Sequence, residues 1–461
     1  MSFINENQLI SESNELNTSD NSNSVKINHE NCYDLVNKKF WCKGCVPRCI
    51  IEGWTSGNDD IDNFIKSSIY NAHLKYIGDG KYGPSFLEWV PFDRFEDMKQ
   101  IGEGGFAKVY SATWIDGIAE YIKQDDENWI KRELKSNKVA LKRLNESQNM
   151  SADFLNELKT HWKLNRLQDN SLRFYGITRD PETEEIMMIM QHAKNGNLRN
   201  VLSSNFDKIL WCEKIGYLYY STMDLKYLHE LGYFHKDFHS GNILNINGAS
   251  FISDFGLSGP SNEQKLDNKI YGVLPYIAPE VLNGEPYALS SDIYSFGVVM
   301  AELSSGKPPF YKRKHDSGLA LEICNGLRPE FGKGTPEIYK KLAYRCMNAN
   351  PNQRPTANEL YEILECWKSR KDDEKYGYKG EEVRIAFEEA DKEIPNISAL
   401  YEKDPDAIYT SRAFTFKNLS KPINSSSTYL NEEDGEGCQD SQLVDLEISS
   451  SLKLKDDDVD N

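Results

Sequence analysis

The chain is short of basic residues. Its 461 residues carry 54 Lys and Arg against 72 Asp and Glu, a formal net charge of −18. That balance argues against nucleic acid as a main partner, because phosphate backbones attract clustered cations. No apolar run approaches the ~20 residues a membrane helix needs, so no membrane partner is expected. The opening text, "MSFINENQLISESNELNTSD", holds no apolar signal segment. The nine cysteines are scattered and most do not look paired, so a reducing, intracellular setting, the cytoplasm, is expected. Internal repeats of fixed period are absent too.

What is present is enough to build a large core: 39% hydrophobic residues and 11% aromatics. The length implies more than one module, or one large module with tails. Composition divides the chain into four. Residues 1–28 are rich in Asn, Ser and Glu and should be disordered. Residues 29–94 form a Cys-containing, partly helical lead-in. Residues 95–368 have the density of one globular domain. Residues 369–461 read as an acidic, Ser-rich, largely disordered tail holding one helical pattern, "GEEVRIAFEEADKEI". The tail is most simply solvated; docking or autoinhibition is the sharper alternative. In the lead-in, His29, Cys32, Cys42 and Cys45 make a loose candidate zinc set. Only one true C-x2-C occurs there, and free thiols are the plainer reading. Cys212, Cys324, Cys346 and Cys366 fall in helical patterns and are expected in or near the core.

Within 95–368, strand-like runs come first. "MKQIGEGGFAKVYSATW" flanks a glycine cluster with apolar residues, and "NKVALKRL" is a further strand. Residues 118–138, between them, are charged and broken, and read as an insertion without an obvious strand. "SADFLNELKTHWKLN" is helical, with Ser151 as N-cap, and "EEIMMIMQ" is a buried strand. In "CEKIGYLYYSTMDLKYLHELG", Ile215, Leu218, Tyr219, Thr222 and Leu225 share one helix face, closed by Gly232. Asn247-Gly248 marks a two-residue hairpin. "SSDIYSFGVVMAELSSG" is a buried helix, and "PTANELYEILECW" opens with a capping box, Thr356 and Glu359. The order predicts an α+β fold: a small strand-rich lobe, then a larger helical one, with the ligand site between them.

Several residues in this frame carry chemistry. Gly102, Gly104 and Gly105 would let backbone N–H groups approach a phosphate, although a plain turn would look the same. No Gly-Lys-Ser/Thr follows, so this is not the loop of the nucleotide hydrolases. Lys142, ending a strand, could neutralise phosphate or simply be solvated. Glu157, on the next helix, could pair with it. Asp254, after the hairpin, suits a metal ion bound to phosphates, with Asn242 as a second oxygen donor. Asp237, in "HKDFHSGNIL", suits orienting a hydroxyl nucleophile and accepting its proton.

Taken in order, "IGEGGFAKVY", "VALK", Glu157, "HKDFHSGNIL", "DFG" at 254–256, "APE" at 278–280, "SDIYSFGVVMAEL" and "RPT" at 354–356 resemble the protein kinase catalytic domain. The tyrosine-kinase-like group is the nearest likeness, and the lead-in is similar to that of kinases of expanded fungal families. The resemblance implies the two-lobed kinase fold, with ATP and Mg2+ as cofactors and proteins as substrates. It implies that Ile101, Gly102, Gly104, Gly105, Val109, Ala140, Lys142, Met190 and Ala193 line the nucleotide, Met190 as gatekeeper and the backbone of Gln191 to Ala193 as hinge. Lys142 would hold phosphates braced by Glu157, Asp237 would be the catalytic base, and Asn242 and Asp254 would bind the metal. Glu280 would pair with Arg354, and Asp292 would brace the catalytic loop.

The departures from that pattern bear on activity. Ala107 stands for the third loop glycine, and Lys236 for the usual Arg, which loses the bidentate fork. His239 replaces the Lys of serine/threonine kinases, and Val273 replaces a threonine. Ser258, Ser261 and Tyr271 are candidate hydroxyls for control of the activation segment, or ordinary loop polarity. The expected function is γ-phosphoryl transfer from ATP to Ser or Thr of proteins. A nucleotide-binding pseudokinase scaffold and a tyrosine or dual-specificity kinase are the alternatives. Substrate, pathway and oligomeric state are not legible.

Overall fold

The computed structural model describes residues 48–78, 81–105, 107–118, 120–123, 129–132, 135–144, 152–168, 171–261, 269–398, 400–416 and 419–424. The expectations for residues 1–28, the His29/Cys32/Cys42/Cys45 set, the Ser151 cap and residues 425–461 lie outside these.

Helix α1 (Asp59–Tyr70) starts at Asn58, whose side chain accepts from the N–H groups of Asp60 and Ile61. Its Ile61, Ile65 and Ile69 recur at helical spacing and are fully buried. β1 (His73–Gly78) and β2 (Lys81–Ser85) follow as an antiparallel hairpin. Then come β3 (Glu88–Trp89), β4 (Phe95–Glu103), β5 (Ala107–Trp114), β6 (Glu120–Lys123), β7 (Trp129–Arg132) and β8 (Asn137–Leu144). Helix α2 (Ala152–Leu167) precedes β9 (Phe174–Arg179) and β10 (Ile186–Gln191). One six-stranded sheet runs β3-β9-β10-β8-β5-β4, and only the β3–β9 pair is parallel. The insertion at 118–138 is not strandless as expected: β6 and β7 pair with each other, apart from the main sheet. In that register Ile122 stands opposite Ile130.

The lead-in is part of this lobe. Ile61, Ile65 and Ile69 share a core with Phe154, Leu158 and Trp162 of α2 and with Phe174 and Ile177 of β9. Lys75 of β1 is buried, and its Nζ donates to Asn165 O (2.6 Å) and Ser171 Oγ (3.0 Å). A buried ammonium is tolerable only when so bonded, and here it ties the hairpin to the end of α2.

The larger lobe begins with α3 (Leu198–Asn205) and α4 (Trp211–Glu230). Ile215, Leu218, Thr222 and Leu225 are buried on α4, and Gly232 follows at φ 76°. β11 (Tyr233–Phe234) leads to β12 (Ile243–Ile246) and β13 (Ala249–Ile252), joined by Asn247 and Gly248 at φ 52° and 82°. Two consecutive positive φ values are what the Asn-Gly hairpin supplies. β14 (Gly259–Pro260) pairs with β11, and β15 (Ile270–Gly272) precedes α5 (Leu289–Ser305), the buried axis of the lobe. α6 (Ser317–Cys324), α7 (Glu337–Cys346) and α8 (Ala357–Ser369) complete it. Only half of the Thr356–Glu359 capping box forms: Thr356 Oγ1 accepts from Glu359 N, while the Glu359 carboxylate pairs with Arg345 at 2.6 Å.

Two expectations need correction. The described residues between 369 and 424 are not a disordered tail. α9 (Gly380–Asp391) buries Val383, Phe387 and Ala390 in the large-lobe core, and Phe387 stacks on Trp211 at 5.6 Å. The helical pattern expected there is present as α9; its apolar stripe docks on the large lobe instead of standing in a solvated tail. Beyond it β16 (Arg412–Phe414) pairs antiparallel with β15. Cys212 is exposed, whereas Cys324, Cys346 and Cys366 are buried as expected. Among the described residues, no helix is long and apolar enough to cross a membrane.

Candidate active site

Alternation along β8 buries Val139 and Leu141 toward one side of the sheet and directs Lys142 to the other. There Lys142 Nζ lies 2.5 Å from Glu157 Oε1 on α2 and 2.9 Å from Asp254 Oδ1. Burial alone would pull the ammonium down, but the carboxylates of Asp254 and Glu157 outweigh it and hold it above the ordinary lysine value. Burial likewise favours a neutral Asp254, yet Lys142 overrides it and holds that carboxyl down at about 2. The Asp254 side chain is 38% exposed, so this carboxylate faces the cleft.

Above this pair, β4 and β5 turn through the glycine cluster, closed by Gly104 N donating to Ala107 O at 2.8 Å. Val109 is in register with both Gly102 and Lys142. Ala140 faces Met190 across β8 and β10, and Ala193 lies at the edge of the same core. Ile101 is 50% exposed. Gly102, Val109, Ala140, Lys142 and Met190 therefore share one face of the sheet.

The opposite side is the loop 235–242. Lys236 takes φ 69°, a conformation that costs energy outside glycine. Asp292, fully buried at the start of α5, holds it there. Its carboxylate accepts from His235 N (2.8 Å), Lys236 N (3.0 Å), the Tyr287 hydroxyl (2.7 Å) and the His229 ring (2.9 Å). Burial would raise Asp292, but the bond from His229 and its neighbours keep it low and ionised. This bears out the bracing expected of Asp292. Asp237 is buried; its Oδ2 accepts from Asn242 Nδ2 at 3.2 Å, and its Oδ1 has no partner among the described residues. Asn242 also donates to Asp237 O, while its own carbonyl accepts from Ser253 N at 2.8 Å. That bond joins the loop to the segment that follows β13 and carries Asp254.

The donor set fits Mg2+. With Nδ2 committed to Asp237, Asn242 offers its amide oxygen, and Asp254 offers a carboxylate kept ionised by Lys142. Two oxygen ligands suit an ion that retains waters and shares phosphate oxygens. Among the described residues no cluster of His, Cys, Asp and Glu forms a closed metal cage.

Phe255 lies between two histidine rings, 4.5 Å from His161 and 5.2 Å from His235. Burial pushes both imidazoles below their ordinary value. Glu280 and Arg354 form the expected pair, doubly bonded at 2.6 and 2.7 Å. Ser258 is buried and donates to His235 O, so it is a structural hydroxyl rather than an accessible control site. Ser261 is exposed, and Tyr271 lies in β15 with its ring 5.9 Å from Lys236 Nζ.

At the departures, His239 Nδ1 accepts from Gly241 N, and its Nε2 stands 3.6 Å from Asp237 Oδ2. Val273 is buried and its carbonyl accepts from Tyr276 N. Two features escaped the sequence reading. One is the network in which Glu302 accepts from Ser240 (2.8 Å) and Tyr276 (2.5 Å) and pairs with Arg199 (3.5 Å) beneath the loop. The other is Ser411, whose hydroxyl donates to Asp237 Oδ2. The signal that could have found it is the flanking text, "IYTSRAFTF", which carries three aromatics and no acidic residue inside an otherwise acidic tail.

Residues 95–364 match the family model described as protein tyrosine and serine/threonine kinase. Among curated relatives, a serine/threonine-protein kinase/receptor of Acanthamoeba polyphaga mimivirus is 29% identical over 67% of this chain and 18% of its own length. A serine/threonine-protein kinase of Dictyostelium discoideum is 27% identical over 62% of this chain and 16% of its own. Mitogen-activated protein kinase kinase kinase 7 of Mus musculus is 26% identical over 60% and 44%. The chain thus spans less than a fifth of the first two and under half of the third.

Proposed function

The chain belongs to the protein tyrosine and serine/threonine kinase family, and from that premise we propose that it transfers the γ-phosphoryl group of ATP to Ser or Thr hydroxyls of proteins. The observation that carries this reading is the convergence of Lys142, Glu157, Asp254, Asn242 and Asp237 on one interlobe cleft. Lys142, kept charged by Glu157 and Asp254, would hold the α- and β-phosphates. The glycine turn, Val109, Ala140, Met190 and Ala193 would enclose the rest of the nucleotide. Asn242 and Asp254 would hold Mg2+, which when bound supplies charge neutralisation for the transferring group.

Asp237 would orient the acceptor hydroxyl and take its proton at a carboxylate oxygen. His239, beside that carboxylate, supports the same position by filling the place of the missing lysine. Such chemistry is mostly positioning, and it suits a loop locked by buried Asp292. Serine and threonine are favoured over tyrosine as acceptors because the relatives above are named serine/threonine kinases.

The test is incubation of the protein with ATP, Mg2+ and a generic protein substrate, beside Asp237→Asn. Phosphate on the substrate with wild type alone supports the reading. Nucleotide binding with no transfer to any hydroxyl overturns it.

A further inference from the structure

Resting on that reading, we propose that residues 408–416 are a tethered substrate and that Ser411 is an intramolecular phospho-acceptor. Ser411 stands in the acceptor position from two directions. Its hydroxyl donates to Asp237 Oδ2. Its main-chain oxygen lies against the glycine turn, 2.6 Å from where a Cβ on Gly105 would sit. The serine therefore bridges the turn proposed to cover the phosphates and the carboxylate proposed to take the proton.

The backbone around it is docked as a peptide substrate would be. Arg412, Ala413 and Phe414 pair with Gly272, Tyr271 and Ile270, adding a strand to the edge of the activation segment. Strand addition fixes direction and register through main-chain bonds. On the other side Tyr409 anchors the segment. Its hydroxyl donates to Pro309 O (2.9 Å), its carbonyl accepts from Arg199 (3.3 Å), and the Arg199 guanidinium lies 4.9 Å over its ring. Ser411 is thus held between two attachments, so its hydroxyl reaches Asp237 at the high effective concentration of a tethered group.

A segment serving only as a plug needs no hydroxyl on the catalytic carboxylate; this one presents it there. In the step, Ser411 Oγ forms a bond to the γ-phosphorus of ATP. The bond between that phosphorus and the β–γ bridging oxygen breaks, ADP leaves with the electron pair, and the hydroxyl proton passes to Asp237. The product carries about −1.5 to −2 charge beside the Asp237 carboxylate. Repulsion then expels the strap and opens the β15 edge to other proteins.

The experiment is residue-resolved mass spectrometry of the full chain with ATP and Mg2+, over a wide dilution series, with a generic protein substrate in the same tube. The expected result is phosphate on Ser411 with a fraction modified per unit time independent of enzyme concentration, and none in Asp237→Asn. Tyr409→Ala should slow modification of Ser411 and speed transfer to the added protein. If the added protein is phosphorylated while Ser411 stays bare, or if the fraction of Ser411 modified per unit time rises with enzyme concentration, the proposal fails and the kinase reading survives. If Tyr409→Ala modifies Ser411 at the wild-type rate, docking of the strap is wrong. If neither acceptor gains phosphate, both readings fail together.

Discussion

Lys142 Nζ lies 2.5 Å from Glu157 Oε1, and both side chains are withdrawn from solvent. Breaking such a pair from one side strands a buried charge, which costs about 3–5 kcal/mol. Lys142→Met is therefore expected to abolish transfer and to lower the unfolding midpoint, read by thermal denaturation. Glu157→Gln should retain nucleotide binding but lose transfer, since the lysine is left without its brace. Full activity in Glu157→Gln would contradict the assignment.

Asp237→Asn removes the proton acceptor while keeping the side chain's shape. Transfer to an added protein should fall roughly 10²–10⁴-fold, the usual contribution of a general base. Nucleotide affinity should stay within a factor of a few, because Asp237 is proposed to touch the acceptor and not the base or sugar. Parallel measurement of turnover and nucleotide binding separates the two.

Arg354 and Glu280 make a buried pair held by two hydrogen bonds. Glu280→Gln is expected to destabilise the chain by about 3–5 kcal/mol in denaturant titration, by leaving the Arg354 charge buried and under-compensated. Replacing both with apolar residues of similar volume should cost less than the single change. A single change that is silent would show the pair to be ornamental.

Stability should depend on pH through His161. Burial, with Lys142 nearby, holds its folded-state value well below the ordinary 6.5. The unfolded chain then binds the extra proton first, so this contribution is present above about pH 6.5 and is lost as pH falls below it. Asp224 acts with opposite sign: burial pushes it up to about 7, so its contribution weakens as pH rises from its ordinary 3.8 toward that value. The comparison of wild type with His161→Leu isolates the histidine. The variant should lose up to about 1.4 kcal/mol of slope per pH unit in acid, read as unfolding midpoint against pH.

What was legible in the sequence was local. "VALK" alternates because one face of β8 is core; Asn247-Gly248 marks a hairpin because few residue pairs take two positive φ values. The order of the motifs was enough to bring Lys142, Asp237, Asn242 and Asp254 toward one cleft. What escaped depends on partners distant in the chain. Lys75 reads as one more surface lysine until Asn165 and Ser171 close over it. Residues 408–416 are a short apolar and aromatic stretch inside an acidic tail, and their order comes from an edge strand and an arginine far upstream. Only pairing across such distances gives Ser411 a meaning.

The packing of α1 and its hairpin behind α2 sets a practical limit on dissection. The span bearing the recognisable motifs is shorter than the span that folds. A fragment trimmed to begin at residue 95 would strip the small lobe of its rear wall. Leu158, Trp162 and Phe174 would then meet water as one contiguous oily surface, on the helix that carries Glu157 and the strand beside it. Aggregation of that fragment in expression trials would report on a severed core and not on any defect in the cleft.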